Sequence, residues 1–332
     1  MMRWNHAVRI LVAIFTVVLL VAGGSPVFAK PGSGGGKPNG PGHDPEETVV
    51  FTLDPSTHGN PEGVAFDKRS GAFFVGAVGD GALYRGMLND PTVTEFIPGE
   101  SGKSAVGMKV AKGKLYVAGG NTGTLSVYDI ATKELVASFE TGGGGFLNDL
   151  VVTKEGDVFI TDSFRPTLWR VTAEQVEAGS GLPEGIPMGP EVEYEAGAFN
   201  LNGIVSLRGG KRLIVVQSNN GKLFLIDLKD KAPDGRKIHP IDVEPLVGGD
   251  GLLLDRGRLI VVQGAPPTLT FVQLGHGRLR WKVLERRTDP TFRGPSTIAR
   301  AWHLYLVVNA DFATSNTPFT VSGIPREEEE DE

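Results

Sequence analysis

PEGVAFDKRSGAFFVGAV, residues 61–78, is the stretch on which the fold turns. An apolar run, a polar turn closed by Gly71 and a second apolar run rich in Phe and Val make the pattern of two strands joined by a tight turn. The pattern recurs as AVGMKVAKGKLYVAGG from Ala105, LNDLVVTKEGDVFITDS from Leu147, LNGIVSLRGGKRLIVVQS from Leu201 and GDGLLLDRGRLIVVQG from Gly249. A sixth copy, GPSTIARAWHLYLVVNA from Gly294, is degenerate.

Two columns can be counted through the copies. The residue before the turn Gly, or its equivalent, is Glu62, Val106, Asn148, Asn202, Asp250 and Pro295, at spacings of 44, 42, 54, 48 and 45. The second-strand anchor is Val75, Val117, Ile160, Val215, Val261 and Leu306, at spacings of 42, 43, 55, 46 and 45. A third short apolar run follows most copies, as in Leu125-Ser126-Val127-Tyr128 and Leu168-Trp169-Arg170-Val171. A period of about 40–50 residues with several strands in each repeat is the signature of a β-propeller. The expectation is therefore an all-β fold, a six-bladed β-propeller with four-stranded antiparallel blades around a central channel. Val49 to Leu53 and Phe319 to Val321 are candidates to share one blade, which would hide the open edges at the chain ends.

The remainder of the chain frames this domain. Arg3 and Arg9, the 14 apolar residues from Ile10 to Gly23, and the small residues up to Ala29 read as a secretory signal peptide over 1–29, too short to span a bilayer. Residues 30–46, opening KPGSGGGKPNGPG, read as a flexible linker. Residues 47–326 form the propeller domain, and 327–332 an acidic, solvated tail. The expected location is extracytoplasmic, secreted or periplasmic, with membrane contact during export alone. The chain has no Cys, so no disulfide supports it. Its formal charge is −6, and without Arg3, Arg9 and the six terminal acids the folded part is near −2. No basic patch is present, so nucleic acid is not an expected partner.

The long gap between the third and fourth copies places an insertion at 173–198, with AEQVEAG able to form a helical turn and the rest loop-like. It reads equally as a wall of a site or as a tolerated surface loop. GGGGFLNDL, residues 142–150, is glycine-rich but has no Lys and opens no helix, so it is not a phosphate loop.

The first column carries unlike residues, and four of them are oxygen donors. In a ring, Glu62, Asn148, Asn202 and Asp250 would converge at one mouth of the channel. Unpaired there, they would cost several kcal/mol. A hard divalent cation satisfies them, Ca²⁺ first, with Mg²⁺ or Mn²⁺ compatible; two carboxylates balance its charge and two amides add neutral oxygens. Asn and Asp also suit turns, but Glu62 has no turn role.

Pro61-Glu62-Gly63, Asn148-Asp149 with Thr161-Asp162-Ser163, Leu201-Asn202-Gly203 and Gly249-Asp250-Gly251 resemble the successive blade motifs of the senescence-marker-protein/gluconolactonase/luciferin-regenerating-enzyme family. That resemblance implies a calcium-dependent propeller hydrolase with Glu62, Asn148, Asn202 and Asp250 as metal ligands and Asp250 also as general base. The metal would polarise a lactone or ester oxygen and activate water. Asn148 would also meet the substrate. In sugar-lactonase members an Arg stands where this chain has Phe146, so the expected substrate is a small molecule with an apolar or aromatic part. Paraoxonase-like relatives use channel histidines; His58, near Glu62, reads instead as a solvated loop residue, and His303 lies in the sixth copy. The competing class is a non-catalytic secreted propeller that binds a ligand or a protein.

Overall fold

The computed structural model describes residues 47–232, 235–275 and 279–326. The expected signal peptide (1–29), linker (30–46) and acidic tail (327–332) lie outside the described residues. Nearly all regular structure is β. β1 (Val49–Asp54) is followed by β2 (Pro61–Phe66), β3 (Ala72–Ala77), β4 (Leu83–Met87) and β5 (Asp90–Ile97). Then come β6 (Met108–Ala111), β7 (Lys114–Ala118), β8 (Thr124–Asp129) and β9 (Leu135–Glu140), and β10 (Leu147–Val152), β11 (Val158–Asp162) and β12 (Thr167–Val171). After helix α1 (Ala173–Ala178) follow β13 (Glu184–Pro187), β14 (Leu201–Leu207), β15 (Arg212–Gln217), β16 (Lys222–Ala232) and β17 (Gly235–Ile241). β18 (Gly249–Asp255), β19 (Arg258–Gly264), β20 (Pro267–Gln273) and β21 (Lys282–Arg287) precede β22 (Pro295–Ala301), β23 (Leu304–Asn309) and β24 (Thr320–Pro325).

β6–β9, β10–β13, β14–β17 and β18–β21 are four-stranded sheets in sequence order, and the remaining strands form one eight-stranded sheet ordered β2-β3-β4-β5-β1-β24-β23-β22. That sheet divides at its one parallel contact, β1 on β5. On its other side β1 pairs antiparallel with β24, Phe51 opposite Val321, so the two ends of the domain close on each other. The opening strands adjoin in a cycle: β2 to β6, β6 to β10, β10 to β14, β14 to β18, β18 to β22, and β22 back to β2.

Strand alternation explains the apolar runs. Neighbouring side chains of a strand point to opposite faces. Phe73 of β3 joins the core layer with Phe51, Leu306 and Val321, whereas Phe74 joins the layer with Leu83, Met108 and Leu115. Val215 and Val216 of β15 divide in the same way between two layers. A strand covered on both faces needs apolar residues at every position, which is why AFFVGA and RLIVVQ carry no polar alternation.

The column glycines have a different cause from the turns expected of them. Gly63, Gly203 and Gly251 lie inside β2, β14 and β18, and none has a positive φ. A Cβ on Gly63 would stand 2.0 Å from Val106 O, and one on Gly203 would stand 2.2 Å from Asp250 O. The next opening strand therefore packs against the bare Cα.

Register also corrects the sixth copy. Pro61, Leu147, Leu201, Gly249 and Pro295 each hold the pair before an irregularity in their strand, so Ser296, not Pro295, is the counterpart of Glu62. Ile298 pairs with Val307, which makes Val307 and not Leu306 the anchor. Thr297 stands where four of the other copies carry Gly and the third carries Asp149, and without that glycine the degenerate sixth copy has no landmark there.

The segment 173–198 is only partly an insertion. Its helix forms, with Thr172 and Gln175 in a reciprocal capping box. Its remainder contains β13, the outer strand of the β10–β13 sheet. β13 is short and largely exposed, so no hydrophobic pattern marks it.

Candidate functional site

Glu62, Asn148, Asn202 and Asp250 each sit second in their strand, β2, β10, β14 and β18. All four line a single cavity of about 600 Å³, together with Val106 of the second copy. The same cavity is lined by Phe146, Phe199, Phe312 and Val78, and by the polar Ser104, Asn121 and Ser218.

The backbone around the cavity aims the oxygens. Asn148 Nδ2 donates to Ser163 Oγ at 3.0 Å, and Ser163 Oγ donates to Leu201 O at 2.7 Å. One sheet further on, Asn202 Nδ2 donates to Ser218 Oγ at 3.0 Å, and Ser218 Oγ donates to Gly249 O at 2.6 Å. In both cases a serine just after the second strand takes the amide nitrogen and ties it to the next opening strand, which leaves the amide oxygen uncommitted. Asn148 Oδ1, Asn202 Oδ1, Glu62 Oε2 and Asp250 Oδ1 are all buried without a hydrogen-bond partner. Ser296 Oγ donates to Glu62 O at 2.8 Å and so contributes to the ring rather than to the cavity.

Two of the cavity carboxyls are buried where negative charge is disfavoured. Burial pushes the Glu62 carboxyl well above the usual carboxylate range, and the charges of Asp250 and Asp149 push the same way; Lys109 and a hydrogen bond with Thr297 oppose them. Burial, then the Asp149 charge, push Asp250 up to about 8, against the lowering influence of the polar Asn202 side chain. Asp149 does not face the site as a donor. Its Oδ1 is 3.0 Å from Lys109 Nζ and accepts from Leu150 N at 2.8 Å, while Oδ2 accepts from Ile204 N at 3.3 Å, bracing β10 against β6 and β14.

The donor set fits a hard divalent cation. Four buried oxygens without partners converge, and two of them belong to carboxylates. No group of three or more His, Cys, Asp or Glu is placed to hold a metal among the described residues, so any ion here must use the amides.

Phe146 stands at the cavity wall because a buried carboxylate holds its backbone. Asp162, fully buried, accepts from Phe146 N at 2.9 Å and from Phe164 N at 3.1 Å through one oxygen, and binds Arg165 Nε at 2.6 Å through the other. Gly145 precedes Phe146 because a Cβ there would lie 2.4 Å from Asp162 Oδ2.

No family model matches the sequence, and no curated protein matches it. Solved structures do. A luciferin-regenerating enzyme aligns at a TM-score of 0.61 with 12% identity, over 84% of this chain and 96% of its own. A gluconolactonase from Xanthomonas campestris aligns at 0.58 with 16% identity, over 80% and 86%. Virginiamycin B lyase from Staphylococcus aureus aligns at 0.56 with 9% identity, over 85% and 100%. The chain shares its β-propeller-like fold with these proteins. At such identity the likeness speaks for the fold and leaves the chemistry to the residues.

The remaining sequence candidates lie elsewhere. His58 is outside the cavity and is half-buried between two carboxylates rather than a free loop side chain: Nδ1 is 2.7 Å from Asp80 Oδ2 and Nε2 2.9 Å from Glu95 Oε2. His303 is exposed in the turn between β22 and β23. Sequence reasoning missed Phe199, Phe312, Asn121 and Ser218. Ser218 had a signal, since it ends the fourth copy where Ser163 ends the third. Phe199 and Phe312 lie in connections outside the repeat and had none.

Proposed function

We propose that this chain is a six-bladed β-propeller hydrolase, exported, that opens a lactone or related ester with a divalent cation, Ca²⁺ first, at one mouth of its central channel. The observation that carries this reading is the set of four buried, unpartnered oxygens at equivalent positions of four sheets. Cutting the eight-stranded sheet at its parallel β1/β5 contact would leave six antiparallel runs of four, which supports the reading of six blades. The neighbours named as a gluconolactonase and a luciferin-regenerating enzyme agree with a hydrolase on this fold.

Glu62, Asn148, Asn202 and Asp250 would hold the ion. When bound, it supplies Lewis-acid polarisation of the ester carbonyl and a more acidic water. Asp250 is the proton acceptor. With the cation bound, the ionised form of Asp250 would be favoured, which leaves it able to accept a proton. Asn148, beside Phe146, orients the substrate carbonyl from the cavity wall. The apolar wall excludes water from the alkyl or aryl side of the substrate.

The test is hydrolysis of lactones and aryl esters by metal-stripped protein with and without Ca²⁺. Activity that survives both chelation and Asp250→Ala would sink the mechanism. If no cation binds, the same cavity reads as a non-catalytic ligand site.

A further inference from the structure

Four phenylalanines gather at the cavity mouth. Phe146, Phe164 and Phe199 form a closed triangle of rings, with centroids 5.5 Å apart for Phe146–Phe164, 5.2 Å for Phe146–Phe199 and 5.0 Å for Phe164–Phe199. Phe146, Phe199 and Phe312 line the cavity itself. A cluster that served packing alone would be buried. Instead Phe164 is 42%, Phe199 47% and Phe312 56% exposed. Exposed aromatic patches beside a cavity mark a surface kept for a partner.

Nor is the cluster needed to hold its own loops. Phe199 is fixed through Asn200, which is fully buried and donates from Nδ2 to Ala198 O at 2.8 Å and Glu195 O at 2.9 Å, while its Oδ1 accepts from Glu195 N at 2.8 Å and Gln217 Nε2 at 3.1 Å. Phe199 O itself accepts from Asn219 N at 3.1 Å. Tyr194 donates its hydroxyl to the backbone carbonyl of Asp162, which joins this loop to the residue whose carboxylate holds Phe146 and Phe164. Two loops are thus pinned by buried polar groups so that three rings stand together and partly bare.

Charge narrows the occupant. None of the residues lining the cavity is Lys, Arg or His. An anionic substrate, such as a sugar-acid or phosphate monoester, would meet two carboxylates and no cation of the protein. A neutral molecule with a planar apolar part meets ring faces and edges, which bind such groups well.

We propose that Phe199 and Phe146 recognise a planar, uncharged aryl group of the substrate and that Phe164 is the positioning residue that props both rings. The segment between β13 and β14, which carries Phe199, is then a specificity element. This deepens the hydrolase reading only in taking its cavity as the substrate site; the recognition itself needs neither cation nor turnover.

Binding to the chelated full-length chain tests it. Dihydrocoumarin, a neutral aryl lactone, and D-glucono-δ-lactone are titrated calorimetrically in EDTA. Dihydrocoumarin should bind saturably and gluconolactone should not. Phe199→Ala should weaken dihydrocoumarin about tenfold, Phe199→Leu less, and Phe164→Ala by several-fold, the scale of losing part of one ring's burial. Phe199→Leu, which keeps apolar bulk, preserves the test should Phe199→Ala unfold. Equal affinity in wild type, Phe199→Leu and Phe164→Ala, tighter binding of gluconolactone, or no binding of dihydrocoumarin would overturn the proposal. Ring-dependent binding without Ca²⁺-dependent hydrolysis would leave it standing and remove the hydrolase reading alone.

Discussion

Asn148 donates its side-chain amide to Ser163 Oγ at 3.0 Å, and that bond decides which atom of Asn148 faces the cavity. The amide nitrogen is turned away and the oxygen is presented bare. Ser163→Ala removes the restraint without touching a donor. Supporting hydrogen bonds of this kind are worth about 10–100-fold in metal affinity. We expect Ca²⁺ binding to fall by about tenfold in calorimetry, with Ser218→Ala giving a similar loss through Asn202. Unchanged affinity in both variants would mean that the serines only tie strands together.

Function and stability should oppose each other at Asp250. Its carboxyl is raised to about 8 because the folded site resists a negative charge there. Asp250→Asn removes that charge while keeping the shape. Chelated Asp250→Asn should unfold at a higher temperature than chelated wild type near pH 8. Its lactone hydrolysis in Ca²⁺ should fall by about 10²–10⁴, the usual contribution of a positioned base.

The pH dependence has a definite sign. Glu62 and Asp250 both have folded pKa values above their unfolded ones. Such groups bind protons more tightly when folded, so their contribution is full below about pH 4 and is lost as pH rises to about 8. Chelated protein should therefore lose thermal stability from this pair between pH 5 and 8. Saturating Ca²⁺ should reverse the trend, because the ion competes with the protons and binds best once they leave. Melting temperatures at each pH, with EDTA and with Ca²⁺, and with Asp250→Asn as the control, measure the crossing.

Close approach, rather than backbone conformation, should govern the strand glycines. Gly63→Ala forces a Cβ into Val106 O, and overpacking of that kind costs about 1–3 kcal/mol. Gly143→Ala meets nothing within 4 Å and should be close to neutral. Denaturant midpoints of the two variants separate the effects.

Much of this architecture is legible in the residues. The apolar runs around Phe73–Phe74 and Val215–Val216 are visible because the second strand of each repeat is covered on both faces, and their spacing reveals the repeat. Outer strands such as β13 and β21 are half exposed and chemically ordinary, so nothing marks them. The four oxygen donors are visible because each stands beside the repeat's Gly or its substitute. Phe199 is not, because the loop that carries it has no counterpart in other copies; only the fold brings it to within 5.2 Å of Phe146. Lys109 is a similar case, since its partner Asp149 comes from another sheet.

The central claim is that Glu62, Asn148, Asn202 and Asp250 hold one divalent cation. Calorimetric titration of metal-stripped protein with Ca²⁺ tests it most directly, run beside Asp250→Asn. The account predicts one ion per chain for wild type and a loss of affinity of at least tenfold for the variant. No binding by the wild type, or equal binding by the two proteins, would contradict it.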